Sequence, residues 1–259
     1  MPNPPSTVPR NLQDLYGVKL SAVDGEIGHI EDFYFDDETW VVRYVVAKTG
    51  SWLTGKKVLL SPYAFGPLRQ DVRPLPVNLT RQQIENCPPV EEHRPISRQY
   101  EVKYYHYYGW PTYWEGSWTW GIGRYPVMLP PASPPAGAAD RPPNQAESHL
   151  RSTRAVDGFP VETYDGPLGH LLGFSVDPQS WVIRDVIVKT GHWRSGKELL
   201  ISPAQIDDLS YPEGKMFVNL TKEDLEQTAN DKVVQAGSGV LDAGDFQPPR
   251  PVVGPLDRV

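Results

Sequence analysis

At 259 residues, 39% of them hydrophobic and 22% charged, the chain is long enough for two modest domains. Its formal charge of −7 argues against non-specific binding to a nucleic-acid backbone, because phosphate affinity comes from clustered Lys and Arg. A single cysteine, Cys87, excludes an internal disulfide and a Cys-rich zinc site and suits a reducing compartment.

The opening MPNPPSTVPRNLQDL lacks the charged-then-apolar profile of a signal peptide, and no run approaches the roughly 18–20 apolar residues that span a bilayer. The expected location is the cytoplasm, with no transmembrane segment. Beyond LYGVKL (15–20), Gly25 and Gly28 punctuate the start of a strand, and DDET (36–39) reads as a turn. The run from Trp40 to Lys48 is dominated by β-branched residues and predicts a strand central in a sheet.

Gly50, Gly55 and Lys56 then fall in the spacing G-x-x-x-x-G-K of a phosphate-binding loop. Such a loop needs a helix after it and a hydroxyl residue after the lysine. Here Lys57 takes the hydroxyl position and VLLSP continues as a strand. The spacing therefore predicts a long β-hairpin loop, with Trp52 over the rim and no nucleotide. A short helix is expected from Thr80, where Gln83 completes a Thr-x-x-Gln capping box.

Residues 97–126 hold seven of the thirteen tyrosines and four of the eight tryptophans. Tyr104, Tyr105, Tyr108, Trp110, Trp114, Trp118 and Trp120 are candidate interaction residues, since amphipathic aromatics form interface hot spots. Three readings stand together: packing on the outside of one or both repeats, an interface for a protein partner or for self-association, and a platform for single-stranded nucleic acid or sugar. The third is the weakest on charge, with only Arg94, Arg98, Lys103 and Arg124 nearby. A Pro-rich spacer follows, and a Pro- and Gly-rich tail closes the chain; both are expected to be disordered.

The chain also repeats itself at an offset of 141. Residues 24–62 lie over 165–203 without a gap, about half the positions are identical, and the offset still holds at VNLT, 77–80 and 218–221. The predicted organisation is repeat 1 over 10–93, an aromatic then Pro-rich linker over 94–150, repeat 2 over 151–231, and a tail over 232–259. Five or six short strands with one terminal helical turn in each copy predict a mainly β protein of two small barrels.

LYGVKL, the Asp-Gly-x-x-Gly turn, the Trp-led apolar strand, KTG, LLSP and the late VNLT resemble the PRC-barrel domain. That domain is shared by the cytoplasmic part of the photosynthetic reaction-centre H subunit and the C-terminal half of the ribosome-maturation factor RimM. The resemblance covers roughly 10–92 and 151–231 and implies the fold. It carries no specific role, since the ribosomal factor's separate N-terminal barrel and the reaction-centre subunit's membrane anchor have no counterpart in the sequence.

Four polar positions repeat. His29 and His170 each follow a glycine and have no neighbouring His or Cys, so a structural role outweighs a metal site. Arg43 and Arg184 alternate in phase with Val45 and Val186 and so need a partner or an exit to solvent, with Asp24 and Asp165 or Asp36 and Asp177 as candidate partners. A structural ion pair and a shared binding role both remain open for them. No nucleophile motif or cofactor signature is present, and no enzyme and no cofactor are expected. The expected function is a non-catalytic tandem scaffold or adaptor that holds a protein partner or a second copy of itself. The alternatives are an assembly or maturation factor for a large complex and an enzyme using the cleft between the repeats.

Overall fold

β-Branched runs broken by glycine turns leave the backbone little but ladders in which to satisfy its polar groups, and the chain is mainly β. The computed structural model describes residues 8–53, 55–68, 72–88, 96–127, 149–191 and 197–225. The spacer over 128–148, the tail over 232–259, Arg94, and the second copy's hairpin loop with Trp193 and Gly196 lie outside them.

In chain order the strands are β1 (Arg10–Asn11), β2 (Lys19–Ala22), β3 (Gly25–Asp36), β4 (Val41–Thr49), β5 (Lys57–Leu60) and β6 (Leu75–Pro76), then α1 (Arg81–Glu85) and α2 (Arg98–Tyr108). There follow β7 (Leu150–Ser152), α3 (Thr153–Val156), β8 (Pro160–Thr163), β9 (Gly166–Val176), β10 (Ile183–Thr190), β11 (Glu198–Ile201), β12 (Ile206–Ser210) and β13 (Lys215–Val218). Two mixed sheets result. One runs β5-β4-β3-β2-β6 and the other β11-β10-β9-β8-β13-β12, so β4 and β10 are interior strands as expected. Each path has two free ends, and the described ladders do not close into barrels. The parallel pairs β2 with β6 and β8 with β13 make both sheets mixed.

Each sheet also borrows one strand from the far side of the repeat. β1 pairs with the end of β9, Arg10 opposite Val176, while β7 pairs with the end of β3, Ser152 opposite Tyr34. The offset of 141 carries β1 onto β7, so the exchange is reciprocal. On β3, one edge carries β4; the other carries β2 at its start and β7 at its end.

The two copies meet along a pseudo-twofold axis. Val42 N–H donates to the Trp181 carbonyl at 2.9 Å and Ile183 N–H to the Trp40 carbonyl at 2.8 Å, two bonds that the offset interconverts. Phe35 lies against Phe174 at 5.0 Å between ring centres, and Phe65 against Trp181 at 5.6 Å. Both sheets belong to one compact unit that ends at Lys222.

The Trp-led strands begin later than the sequence suggests. Trp40 and Trp181 have φ of 54° and 60°, a left-handed conformation that a bulky side chain rarely adopts, so β4 starts at Val41 and β10 at Ile183. Each tryptophan is held there by its own N–H, which donates to the carbonyl of Asp36 or Asp177 at 2.8 and 3.0 Å.

The hairpin loop after β4 leads through a short 3-10 turn (Ser51–Leu53) into β5. Thr49 donates from both its N–H and its hydroxyl to the Lys56 carbonyl, each at 2.9 Å, and Thr190 does the same to Lys197. Trp52 donates to the Ile27 carbonyl at 2.6 Å under the Arg81 guanidinium. The Thr80–Gln83 capping box forms, and Asp24 accepts from Arg81 N–H at 2.8 Å, as Asp165 does from Lys222 N–H at 3.1 Å. No helix among the described residues is long and apolar enough to cross a membrane.

Gly28 and Gly169 explain their own repetition. A Cβ at either position would run into the carbonyl of Lys48 or Lys189 on the paired strand, and Gly28 also has a positive φ of 152°. Gly28→Ala and Gly169→Ala should each cost about 1–3 kcal/mol in urea unfolding, the usual penalty of overpacking. A loss below a few tenths of a kcal/mol in both would mean that the two ladders are not that close.

Candidate functional site

The repeated arginines sit at repeated bulges. The register of β3 with β4 passes from Phe35–Val42 to Tyr34–Tyr44, and that of β9 with β10 from Val176–Ile183 to Ser175–Asp185. In each copy the residue passed over is the arginine. A bulge re-aims its extra side chain, so simple alternation with the neighbouring valines does not decide where it points.

Their surroundings then diverge. Arg43 is 2% exposed: Nη1 donates to the Thr119 carbonyl at 2.6 Å and Nη2 to the Thr39 hydroxyl at 3.1 Å, and Asp36 stands at 3.8 Å. Its guanidinium lies 3.9 Å over the Tyr113 ring and 5.0 Å from that of Trp120. Desolvating a guanidinium is tolerable only with such a set of acceptors and π faces. Arg184 pairs with Asp177 at 3.1 Å and keeps its side chain 56% exposed. Asp36 and Asp177 are therefore the acids that meet the arginines, and each also accepts two N–H groups of its own turn.

What covers Arg43 is the aromatic segment. Ser97 caps α2 by accepting from Tyr100 N–H, and Gly109, in the left-handed conformation, ends it. The helix lays Tyr104 and Tyr105, both 0% exposed, on repeat 1. The Tyr104 hydroxyl accepts from Ser61 N–H and donates to the Leu59 carbonyl, each at 3.0 Å, and Tyr105 meets the Ser61 hydroxyl at 3.3 Å. Trp110 stacks on Tyr108 at 4.4 Å and on Tyr63 at 5.8 Å. After the turn, Trp120 fills the groove between the copies. Its indole N–H donates to the Ser180 carbonyl at 2.8 Å, its ring meets Tyr63 edge-on at 5.2 Å, and its carbonyl accepts from the Tyr63 hydroxyl at 3.2 Å.

Of the seven candidate interaction aromatics, Tyr104, Tyr105, Trp110 and Trp120 are thus buried, Tyr108 and Trp114 are half-buried, and Trp118 is exposed with Arg124 over its ring. Burial pushes the Tyr63 hydroxyl up to about 12 and Tyr44 and Tyr104 well above the usual phenol range, so these groups stay protonated donors.

Beneath the helix lies one buried acid. Glu101, 1% exposed, accepts from the Tyr44 hydroxyl at 2.9 Å and the Tyr113 hydroxyl at 2.7 Å, with Arg98 Nη1 at 2.8 Å. Burial raises its pKa, while Arg98 and the two hydroxyls lower it less. No sequence signal marked this residue; the cue would have been Tyr44 facing a helix whose ends are set by Ser97 and Gly109.

His29 and His170 are exposed and occupy matching register positions opposite Lys48 and Lys189. Cys87 is half-buried, and burial pushes its thiol up to about 11, away from nucleophilic chemistry. Among the described residues no three His, Cys, Asp or Glu side chains gather as a metal site.

No protein-family profile and no curated protein sequence matches the chain. The two faces finish differently: in repeat 1 Trp120 packs on Ser180, Arg43 and Tyr63, and in repeat 2 Thr39, Trp40, Arg184 and Ala204 line a broad open groove with a volume of ≈ 500 Å³.

Proposed function

We propose that this chain is a non-catalytic adaptor of two PRC-barrel-like repeats, working on a protein partner in the cytoplasm. The observation that carries this reading is the unequal finish of two equivalent faces. The face of repeat 1 is closed by the chain's own aromatic segment, which fixes the pair of copies as one body; the face of repeat 2 offers the same backbone frame without a cover among the described residues. Reciprocal strand exchange ties the two copies together, which favours a surface that arrives at its partner already in shape. The buried aromatics serve the frame, and the contact surface lies elsewhere on the body.

The test is chemical crosslinking in the protein's own cells followed by affinity capture of the full chain. The expected result is a defined protein, recovered in near-stoichiometric amount and crosslinked to residues of either repeat. Recovery of the uncrosslinked monomer alone, or turnover of a substrate that disappears with Arg43→Ala and Arg184→Ala, would overturn it.

A further inference from the structure

The open groove of repeat 2 has a template for its occupant inside the same molecule. Under the offset of 141, its walls Thr39, Trp40, Arg184, Ser202, Ala204 and Ile206 correspond to Ser180, Trp181, Arg43, Ser61, Tyr63 and Phe65, of which Ser180, Arg43 and Tyr63 touch Trp120. Three matched pairs differ in the same direction. Ser180 and Trp181 are buried where Thr39 is exposed and Trp40 half-exposed, and Arg43 is 2% exposed where the Arg184 side chain is 56% exposed. The backbone frame is common to both, for the reciprocal bonds of Val42 and Ile183 fix the two turns alike. What differs is that a tryptophan occupies one site and nothing in the described chain occupies the other.

We propose that the repeat 2 groove binds an extended segment of a separate protein that carries a tryptophan beside a basic residue. In repeat 1, the indole N–H goes to the carbonyl of Ser180 and the arginine donates to the carbonyl of the residue before the tryptophan. Thr39 and Arg184 hold the corresponding places. Arg184 spends one nitrogen on Asp177 and has further N–H groups to give. Ala204 in place of Tyr63 removes a phenol from the wall, and this opens room for an indole that arrives from outside. The acid on the rim is Glu38, with His149 Nε2 at 3.3 Å, and Asp207 and Asp208, both exposed, follow Ile206 in the chain. A basic residue in the partner complements it, as electrostatic matching of interface rims requires. The chain's own segment likewise carries a basic residue near its tryptophans, Arg124, four residues after Trp120 and over the Trp118 ring.

This inference rests on the adaptor reading and names the partner chemistry of one of its faces. The test uses a fluorescently labelled synthetic peptide of residues 116–124, GSWTWGIGR, titrated with the full-length protein and read by polarisation. The expected result is saturable binding. It should weaken at least tenfold when the second tryptophan of the peptide is alanine, at least tenfold with Ala204→Trp, which fills the groove from an exposed position, and several-fold with Arg184→Glu. Circular dichroism melts confirm that both variants fold. Absence of saturation at millimolar protein, or binding indifferent to Ala204→Trp, overturns the proposal. So does a wild-type dimer in sedimentation that Ala204→Trp dissolves, because the occupant is then a second copy. A partner captured from cells equally well by wild type and Ala204→Trp would sink the groove and leave the adaptor reading standing.

Discussion

Trp120→Ala is expected to destabilise the protein by about 3–5 kcal/mol in urea unfolding, the usual cost of removing a buried tryptophan. The indole is 0% exposed and touches both copies, so its loss opens a cavity where β4, the turn before β10 and the aromatic segment meet. It also removes a π face from Arg43, whose guanidinium cannot reach bulk water without the segment lifting. Trp118→Ala, two residues away and 50% exposed, should change stability by no more than about 0.5 kcal/mol. Equal effects at the two positions would show that the segment does not lock the groove of repeat 1.

Glu101→Ala is expected to cost about 3–5 kcal/mol, because it strands the Arg98 charge and two tyrosine hydroxyls beneath α2. Glu101→Gln isolates the charge. Burial holds the folded pKa of Glu101 above its unfolded value of about 4.3, so between the two the folded protein binds the extra proton. That contribution to stability is whole below the unfolded pKa and is lost as pH rises through the folded pKa. The margin of the wild type over Glu101→Gln should therefore be widest near about pH 4 and narrow as pH increases. A margin that widens with pH, in paired urea titrations, would mean that the ionised carboxylate is the form the fold prefers.

Much of this architecture was readable where a local rule has no rival. The Thr80–Gln83 box, the hairpin turn at Thr49 and the strand that follows Lys56 all depend on a few adjacent residues, and they stand as expected. Helix α2 was missed because its pattern inverts the rule that apolar residues mark the inner face: Glu101 is buried while Val102 is 40% exposed. Tyrosines obscure the helical period, since each has both an apolar body and a polar tip. The exchange of β1 and β7 has no local signature, for a strand of two or three residues carries nothing that says which sheet it joins. The fates of Arg43 and Arg184 were half legible. Tyr44 against Asp185 and Tyr63 against Ala204 record the difference in their surroundings, but only the path of the aromatic segment shows which face it covers.

The reciprocal exchange of β1 and β7 also sets a timetable for the nascent chain. Strand β3 ends at Asp36, yet its partner β7 begins only at Leu150, and β1 waits longer still for the end of β9 at Val176. At synthesis rates of about 5–20 residues per second, the first sheet leaves the exit tunnel on the order of ten seconds before the strand that completes its edge. Through that interval Tyr34, Phe35 and Asp36 present unpaired backbone that a neighbouring copy on the same message can capture. Completion of one edge in each half thus depends on the other half having been made.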